Sequence, residues 1–376
     1  MTCVERIENF LKLESDWSRL WQEDSLGNSL FGSHEWYRTW WKHFGRETAL
    51  FIVVAREGEK IIGIAPLCLK KTVYRGVPVR MVAFMENGNS LHNDFILAPD
   101  RKPEALSAIL NYLFENCRRW DLVELKNMPS GKHYSLIREL LDEMNGKWGV
   151  RTGLHSPYIR IDAGWEAFYA GRSGRVRKTI RNIRNRLEKW GPCRLQKISN
   201  WDDYRAVRDQ IGEIAEKSWT QKAGDSLASS RNLTFFDDLT RIACERGWLA
   251  LWLLQVNGEA VAFEYHLQCN GKNHGLRASY KEEHARLSPG GFLDYLIVKE
   301  LFERSDGVME YDMGGSFDFY KRKWTTEFRS HVNVHIFNRR IPSRLLYLWE
   351  YGVIGGLRQL RDLTAKFRLP RIHEGV

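Results

Sequence analysis

Two segments of this chain, two hundred residues apart, spell the same plan. Leu50 to Leu67 reads LFIVVAREGEKIIGIAPL, and Ala250 to Leu267 reads ALWLLQVNGEAVAFEYHL. Each is an apolar strand, a tight Gly-Glu turn (Gly58-Glu59, Gly258-Glu259) and a second strand, the signature of a hairpin. A repeat constrains the fold strongly, because each copy has to bury its own sheet face.

The elements around the two hairpins follow one order. In the first copy the pattern predicts a strand at Cys3 to Glu8 and helices at Glu14 to Gln22 and Ser33 to Phe44. After the hairpin it predicts a strand at His92 to Ala98, a helix at Pro103 to Cys117, a strand at Asp121 to Asn127 and a helix at His133 to Glu143. In the second copy the corresponding elements are a strand at Cys193 to Ser199 and helices at Trp201 to Trp219 and Leu233 to Glu245. After that hairpin come a strand at Asn273 to Tyr280, a helix at Gly291 to Glu303, a strand at Val308 to Met313, a short helix near Phe317 to Trp324 and a last strand at Phe328 to Phe337. The expectation is an α/β chain of two tandem domains, each a mixed central sheet flanked by helices. Two unrelated domains that share a hairpin by chance are the alternative. The divisions fall at 1–150, a linker strand and basic helix at 151–192, a second domain at 193–340 and a helical tail at 341–376.

Composition excludes several classes. At 43% hydrophobic and 12% aromatic residues, 376 residues supply apolar material for two cores, so global disorder is out. Trp36, Trp40 and Trp41 read as core packing. Cys3, Cys68, Cys117, Cys193, Cys244 and Cys269 are scattered with no C-x-x-C pair, against a zinc site or a disulfide framework and in keeping with a reducing compartment. The start, MTCVERIENF, lacks the apolar run of a signal peptide, and no stretch approaches the ~20 apolar residues that span a bilayer. A cytoplasmic protein is expected. The net charge of +10 favours anionic partners without choosing among them.

Part of that charge lies between the copies. In Gly171 to Trp190, Val176, Ile180, Ile183, Leu187 and Trp190 recur at helical spacing, while Arg172, Arg175, Arg177, Lys178, Arg181, Arg184, Arg186 and Lys189 occupy the other faces. A solvated face, or one that binds a phosphorylated acceptor, RNA or anionic lipid, fits this pattern. Past Arg340, the residues Leu345, Leu346, Trp349, Val353, Leu357, Leu360 and Leu363 suggest an amphipathic helix, with Arg344, Arg358, Arg361 and Lys366 among its polar positions. Docking on the second domain is expected of it; peripheral membrane contact or dimerisation is the other possibility.

Two clusters suit chemistry. Tyr280 to Leu293 reads YKEEHARLSPGGFL: a strand, a loop, then Pro289-Gly290-Gly291 opening a helix. Glycines at a helix start let backbone N–H groups approach a phosphate, and Lys281 and Arg286 add charge. Glu310 to Trp324 reads EYDMGGSFDFYKRKW, a strand ending in Gly314-Gly315, with Tyr320, Lys321, Lys323 and Trp324 following. A phenol can protonate a leaving thiolate, and a lysine can stabilise an oxyanion. Structurally, Asp312 paired with a lysine and a core Tyr320 would account for the same residues.

From Ser156 to Trp324 the chain resembles the acetyltransferase domain of CelD-type exopolysaccharide and cellulose-biosynthesis proteins, of the GNAT superfamily. The matching pieces are the R-x-x-R-N-R-L-E-x-x-G run (Arg181 to Gly191), the Gly-Glu hairpin, L-S-P-G-G-x-L (Leu287 to Leu293), and D-x-G-G followed by Y-K-x-x-W (Asp312 to Trp324). The F-G-S-H-E-W start (Phe31 to Trp36) and H-N-D-F run (His92 to Phe95) resemble the N-terminal half of the same proteins. The resemblance implies two tandem GNAT-like domains and an acyl-CoA co-substrate, acetyl-CoA first, with no metal. It implies a diphosphate resting on Arg286, Leu287, Ser288, Pro289, Gly290 and Gly291, and direct attack by an acceptor amine. The run Arg286-x-x-Pro289-Gly290-Gly291 departs from the usual Q/R-x-x-G-x-G/A signature by a proline at its first glycine.

The attacking amine needs a base. Glu264 and His266, on one face of their strand, and Asp312 are candidates; Tyr320 is the expected general acid, and Lys321 the expected contact to the acyl carbonyl or a substrate phosphate. Asp94, Arg181 and Arg184 are expected to bind the acceptor, a small-molecule or lipid-linked amine such as an amino sugar. The first copy has Ala98-Pro99-Asp100-Arg101-Lys102-Pro103 in place of the glycine loop, so no donor site is expected there. A distant resemblance to Fem-type peptidyltransferases implies an alternative donor, aminoacyl-tRNA. A non-catalytic scaffold or RNA-binding protein on the same fold is the third reading.

Overall fold

Both hairpins form, and both turn on left-handed backbone: Gly58 in the first, Asn257 and Gly258 in the second. The molecule is known here from a computed structural model that describes residues 1–24, 29–218, 230–304, 307–315 and 320–356. The first half contains β1 (Thr2–Val4), α1 (Ile7–Leu11), α2 (Glu14–Glu23), α3 (His34–Phe44), β2 (Ala49–Leu50), β3 (Ile52–Glu57), β4 (Lys60–Ala65), β5 (Leu67–Tyr74), β6 (Val77–Phe84), β7 (Ile96–Leu97), α4 (Lys102–Glu115), β8 (Leu122–Pro129) and α5 (Lys132–Glu143). There follow β9 (Lys147–Arg160), α6 (Trp165–Ala170), α7 (Gly174–Trp190), β10 (Cys193–Ile198), α8 (Trp201–Glu216), α9 (Ser230–Glu245), β11 (Leu249–Val256), β12 (Glu259–Cys269), β13 (Lys272–Tyr280), α10 (Pro289–Glu303), β14 (Glu310–Asp312), β15 (Phe328–Phe337) and α11 (Ile341–Tyr347).

The strands do not divide into one sheet per copy. A four-stranded sheet runs β1-β3-β4-β7, and an eleven-stranded sheet runs β10-β11-β12-β13-β14-β9-β15-β8-β6-β5-β2 through both halves. One residue explains part of this. In the first half Pro66 has no N–H for the ladder, and it separates β4, in the small sheet, from β5, in the large one. Its counterpart at the repeat offset is His266, where β12 continues with only a bulge between Tyr265 and His266.

The large sheet is stitched at its centre. β9 pairs with β15 from Lys147 to Pro157 and with β14 from Tyr158 to Arg160. β15, the last strand of the second copy by sequence order, lies between β9 and β8 of the first half. The cores are fused as well: Trp36 of α3 meets Phe235 of α9 edge-on, with ring centroids 5.7 Å apart. A second core packs Ile180, Ile183 and Leu187 of α7 with Phe292, Leu293 and Ile297 of α10.

Several expected elements differ. The strand expected at His92 to Ala98 contracts to Ile96–Leu97, and the sequence reading passed over the β5–β6 hairpin. Of the short helix expected near Phe317 to Trp324, the described residues show a single 3-10 turn, Lys321–Lys323, while Phe317 lies outside them. The helix from Ile341 docks across the seam, on β15 of the second domain as well as on the first half's strands. Its Leu346 is buried with Val79, Met81 and Leu122, and Phe337 of β15 joins them. Leu357, Leu360, Leu363, Arg358, Arg361 and Lys366 lie outside the described residues.

Candidate functional site

The parallel pair β13–β14 holds together over three residues only, Lys272 to His274 against Glu310 to Asp312. Beyond that, β13 continues to Tyr280 while the other chain turns away at Gly314-Gly315. Gly314 has φ of +61°, and a Cβ there would collide with the Gly275 carbonyl and with Leu91 of the first half. The turn therefore requires glycine. Lys321, buried, donates its ammonium to the Gly314 carbonyl and pins the turn.

The splay opens a cavity of about 100 Å³ lined by Glu264, His266, Arg277, Asp294, Tyr311, Gly314, Tyr320 and Lys321. A second space of about 350 Å³ adjoins it, bounded by Ala285, Ser288, Gly290, Gly291 and Tyr280. Glu264, Ala278, Asp294 and Tyr320 line both, so the two form one groove. It runs from the start of α10 to the middle of β12.

At its outer end the groove meets backbone. Residues Glu282–Leu287 make a 3-10 turn, and Ser288, at φ +56°, redirects the chain into α10 with Pro289 in its first turn. Among the described residues no side chain caps α10, in contrast to its neighbour α7, where the Ser173 hydroxyl accepts from the Val176 amide. The first N–H groups of a helix have no intrahelical acceptor, so those of Gly290 and Gly291 are open to an anion. A Cβ on Gly290 would lie 3.0 Å from the Tyr280 ring, while one on Gly291 would meet Ile183 of α7 at 3.8 Å. The donor set, two uncapped amides over a roomy groove, fits a diphosphate.

At its inner end the groove meets a buried polar chain. His266 Nε2 and Glu264 Oε2 are 2.9 Å apart, and the Asn273 amide lies 2.9 Å from His266 Nδ1. As oriented, the Asn273 amide donates to Nδ1, which leaves the ring proton on Nε2 for Glu264. The Tyr311 hydroxyl is 3.5 Å from the same Glu264 oxygen. Burial pushes the Glu264 carboxyl above its ordinary value, with His266 opposing and Asp294 reinforcing the shift. Burial, then Glu264 and Asp294, raise the Tyr311 hydroxyl as well.

The expected site residues fall into three groups. Glu264, His266, Tyr320, Lys321, Ser288, Gly290 and Gly291 come together along the groove. Asp312 does not: strand alternation turns it to the opposite side from Tyr311, where Oδ1 accepts the Gly314 amide at 2.9 Å and Oδ2 lies 3.8 Å from His274. Burial would raise its carboxyl; the His274 and His92 rings and the Gly314 amide outweigh that and hold it well below the carboxylate range.

The rest stand apart. Asp94 stays within the first half, 2.8 Å from His133 Nδ1. The exposed Arg286 offers its carbonyl to Arg186 at 2.9 Å, Leu287 is half-buried in the second core, and Pro289 is buried. Lys281 is held by Glu259 at 2.8 Å and Glu213 at 2.9 Å. Arg181 and Arg184 are exposed on α7 and line neither cavity.

Four residues of this neighbourhood escaped the sequence reading: Asn273, Arg277, Asp294 and Tyr311. Asp294 left a signal, an acid one turn into a helix whose neighbours Phe292, Leu293, Ile297 and Val298 are apolar. It accepts the Trp324 indole N–H at 2.5 Å and the Lys323 ammonium at 2.9 Å. Arg277 reaches Asn89 of the first half, which left none.

Residues 174–322 match the family model described as an acetyltransferase (GNAT) domain. No curated protein matches the chain significantly. Among solved structures, FemX aligns with a TM-score of 0.58 at 12% identity, over 92% of this chain and all of the other (100%). The C-terminal domain of a putative lysylphosphatidylglycerol synthetase from Agrobacterium fabrum aligns at 0.54 and 10% identity, over 90% of this chain and 96% of that one. A tandem GNAT protein from the clavulanic acid biosynthesis pathway aligns at 0.50 and 12% identity, over 89% and 98%. The splayed strands, the open glycine turn and these likenesses agree: this chain has the tandem GNAT fold, and its residues 174–322 match an acetyltransferase (GNAT) domain.

Proposed function

We propose that the protein transfers an acyl group from an acyl-CoA, acetyl-CoA in the first instance, to the amine of an amino sugar or another cell-envelope or exopolysaccharide precursor, as in the CelD-type proteins it resembles. One observation carries this reading: a single groove joins the open Gly290 and Gly291 amides to Glu264 and Tyr320. The donor supplies the thioester. Gly290 and Gly291 hold its diphosphate. The neutral amine nitrogen bonds to the acyl carbon, Glu264 takes the proton that this nitrogen sheds, the C–S bond breaks, and Tyr320 gives its proton to the departing sulfur. His266, held by Asn273, keeps the Glu264 carboxylate aimed. Lys321 acts through the Gly314 turn it pins.

A second reading, a Fem-like transferase using aminoacyl-tRNA, is favoured by a different observation. Arg186 ties the cationic helix α7 to the carbonyl of Arg286 in the donor loop, so a polyanionic donor would meet both. Thermal unfolding separates the two. A ligand that binds only the folded state stabilises it by about 2.7 kcal/mol at a hundred times its Kd. Acetyl-CoA is expected to raise the melting temperature. A rise with aminoacyl-tRNA alone would move the assignment to the second reading, and a rise with neither would sink the donor site.

A further inference from the structure

The helical segment that begins at Ile341 and continues through Val353 is apolar on its outer side as well as on the inner side that packs Leu346. Its outer side exposes Ile341, Leu345, Leu348, Trp349 and Val353, each between 48% and 74% accessible. Its inner side buries a carboxylate, Glu350, which receives Arg75 at 2.8 Å and is paired with Arg151 as well. A helix docked only for its host's sake would carry polar residues on its outer side. The hairpin tip that supplies Arg75 adds the exposed Val77, on the same hairpin face as Tyr74.

The charges that this segment itself exposes are cationic, with Arg340 lying 3.8 Å from Asp121 of the first half. Arg340 and Arg344 are exposed at its edge, while the one acid between 338 and 356 is the buried Glu350. We propose that this face rests on an anionic phospholipid bilayer surface. The apolar row enters the interface, Trp349 sits at headgroup depth, and the arginines meet lipid phosphates. A second copy of the chain is a poorer occupant. Across a two-fold axis the arginines would face one another, and a strip of five side chains falls short of the roughly 800 Å² per partner of a stable interface. No described helix is long and apolar enough to cross a membrane, so the contact lies on the surface.

Co-sedimentation of the full chain with vesicles tests this, using phosphatidylcholine alone or three parts phosphatidylcholine to one part phosphatidylglycerol. Binding to the mixed vesicles only is expected. The double substitution Leu345→Ser, Trp349→Ser should reduce it about tenfold while leaving the melting temperature unchanged, since both side chains are exposed. Equal binding to neutral vesicles, no binding to either, or full binding by the double variant would overturn the proposal. So would light scattering that shows a dimer dissolved by the same substitutions, which would hand this face to a second copy.

Discussion

Burial makes Glu264, on the central strand, hard to ionise, and Asp294, on the helix that opens the donor groove, adds to that shift against the opposing pull of His266. Both carboxyls line both cavities, so the electrostatics of the two ends are linked. A base with a raised pKa is suited to abstract a proton near neutral pH.

The sign of the pH dependence follows. Glu264 works deprotonated, so kcat/KM should rise with pH through its raised pKa and level off above it. The acidic limb is expected above the usual glutamate range of about 4.3. Glu264→Gln should lower kcat by ~10²-fold or more and abolish that limb. A pH–rate profile of both proteins checks this, and an unchanged limb in the variant would assign the base elsewhere.

Tyr320→Phe removes the proton for the departing sulfur while keeping the ring that lies 5.4 Å from the Lys321 ammonium. Turnover should fall ~10- to 100-fold with donor affinity nearly intact. Steady-state kinetics beside calorimetric titration of the donor separate the two effects.

Gly290→Val puts a Cβ 3.0 Å from the Tyr280 ring, at the open amides. The donor Kd should rise roughly tenfold, a loss of about 1.4 kcal/mol, with kcat at saturating donor little changed. Titration of the donor into the variant measures it.

How much of this was legible beforehand depends on the range of the forces involved. Gly290-Gly291 opening a helix, and Glu264 beside His266 on one strand face, are local facts of spacing and alternation, and the structure joins those residues along the groove. Asp312 illustrates the limit. Its strand could be read, but the side it faces depends on pairing with β9 and β13, which no local pattern encodes. Arg277 meets Asn89 only because the two halves pack together. The outward helix was visible as a stripe, Leu345, Trp349 and Val353, but a stripe reads as a buried face until the buried Glu350 shows otherwise.

Beside Asp312 lies a stability prediction. His92 is half-buried among protein groups, stacks on His331 with ring centroids 5.8 Å apart, and has its pKa pushed down to about 3 by the loss of water around it. The unfolded chain therefore binds the proton first, and stability is lost as pH falls below about 6.5. His92→Gln should flatten that acid slope by at most about 1.4 kcal/mol per pH unit. Urea unfolding of both proteins between neutral and mildly acidic pH reads the difference.

The insertion of Phe328–Phe337 between β8 and β9 also sets a schedule for biosynthesis. The first half leaves the ribosome with a slot in its sheet that only a much later stretch of the same chain can fill. Until that stretch emerges, the backbone edges of Leu122–Pro129 and Lys147–Arg160 stay unsealed. The amino-terminal half therefore reaches its final form last, together with the catalytic half.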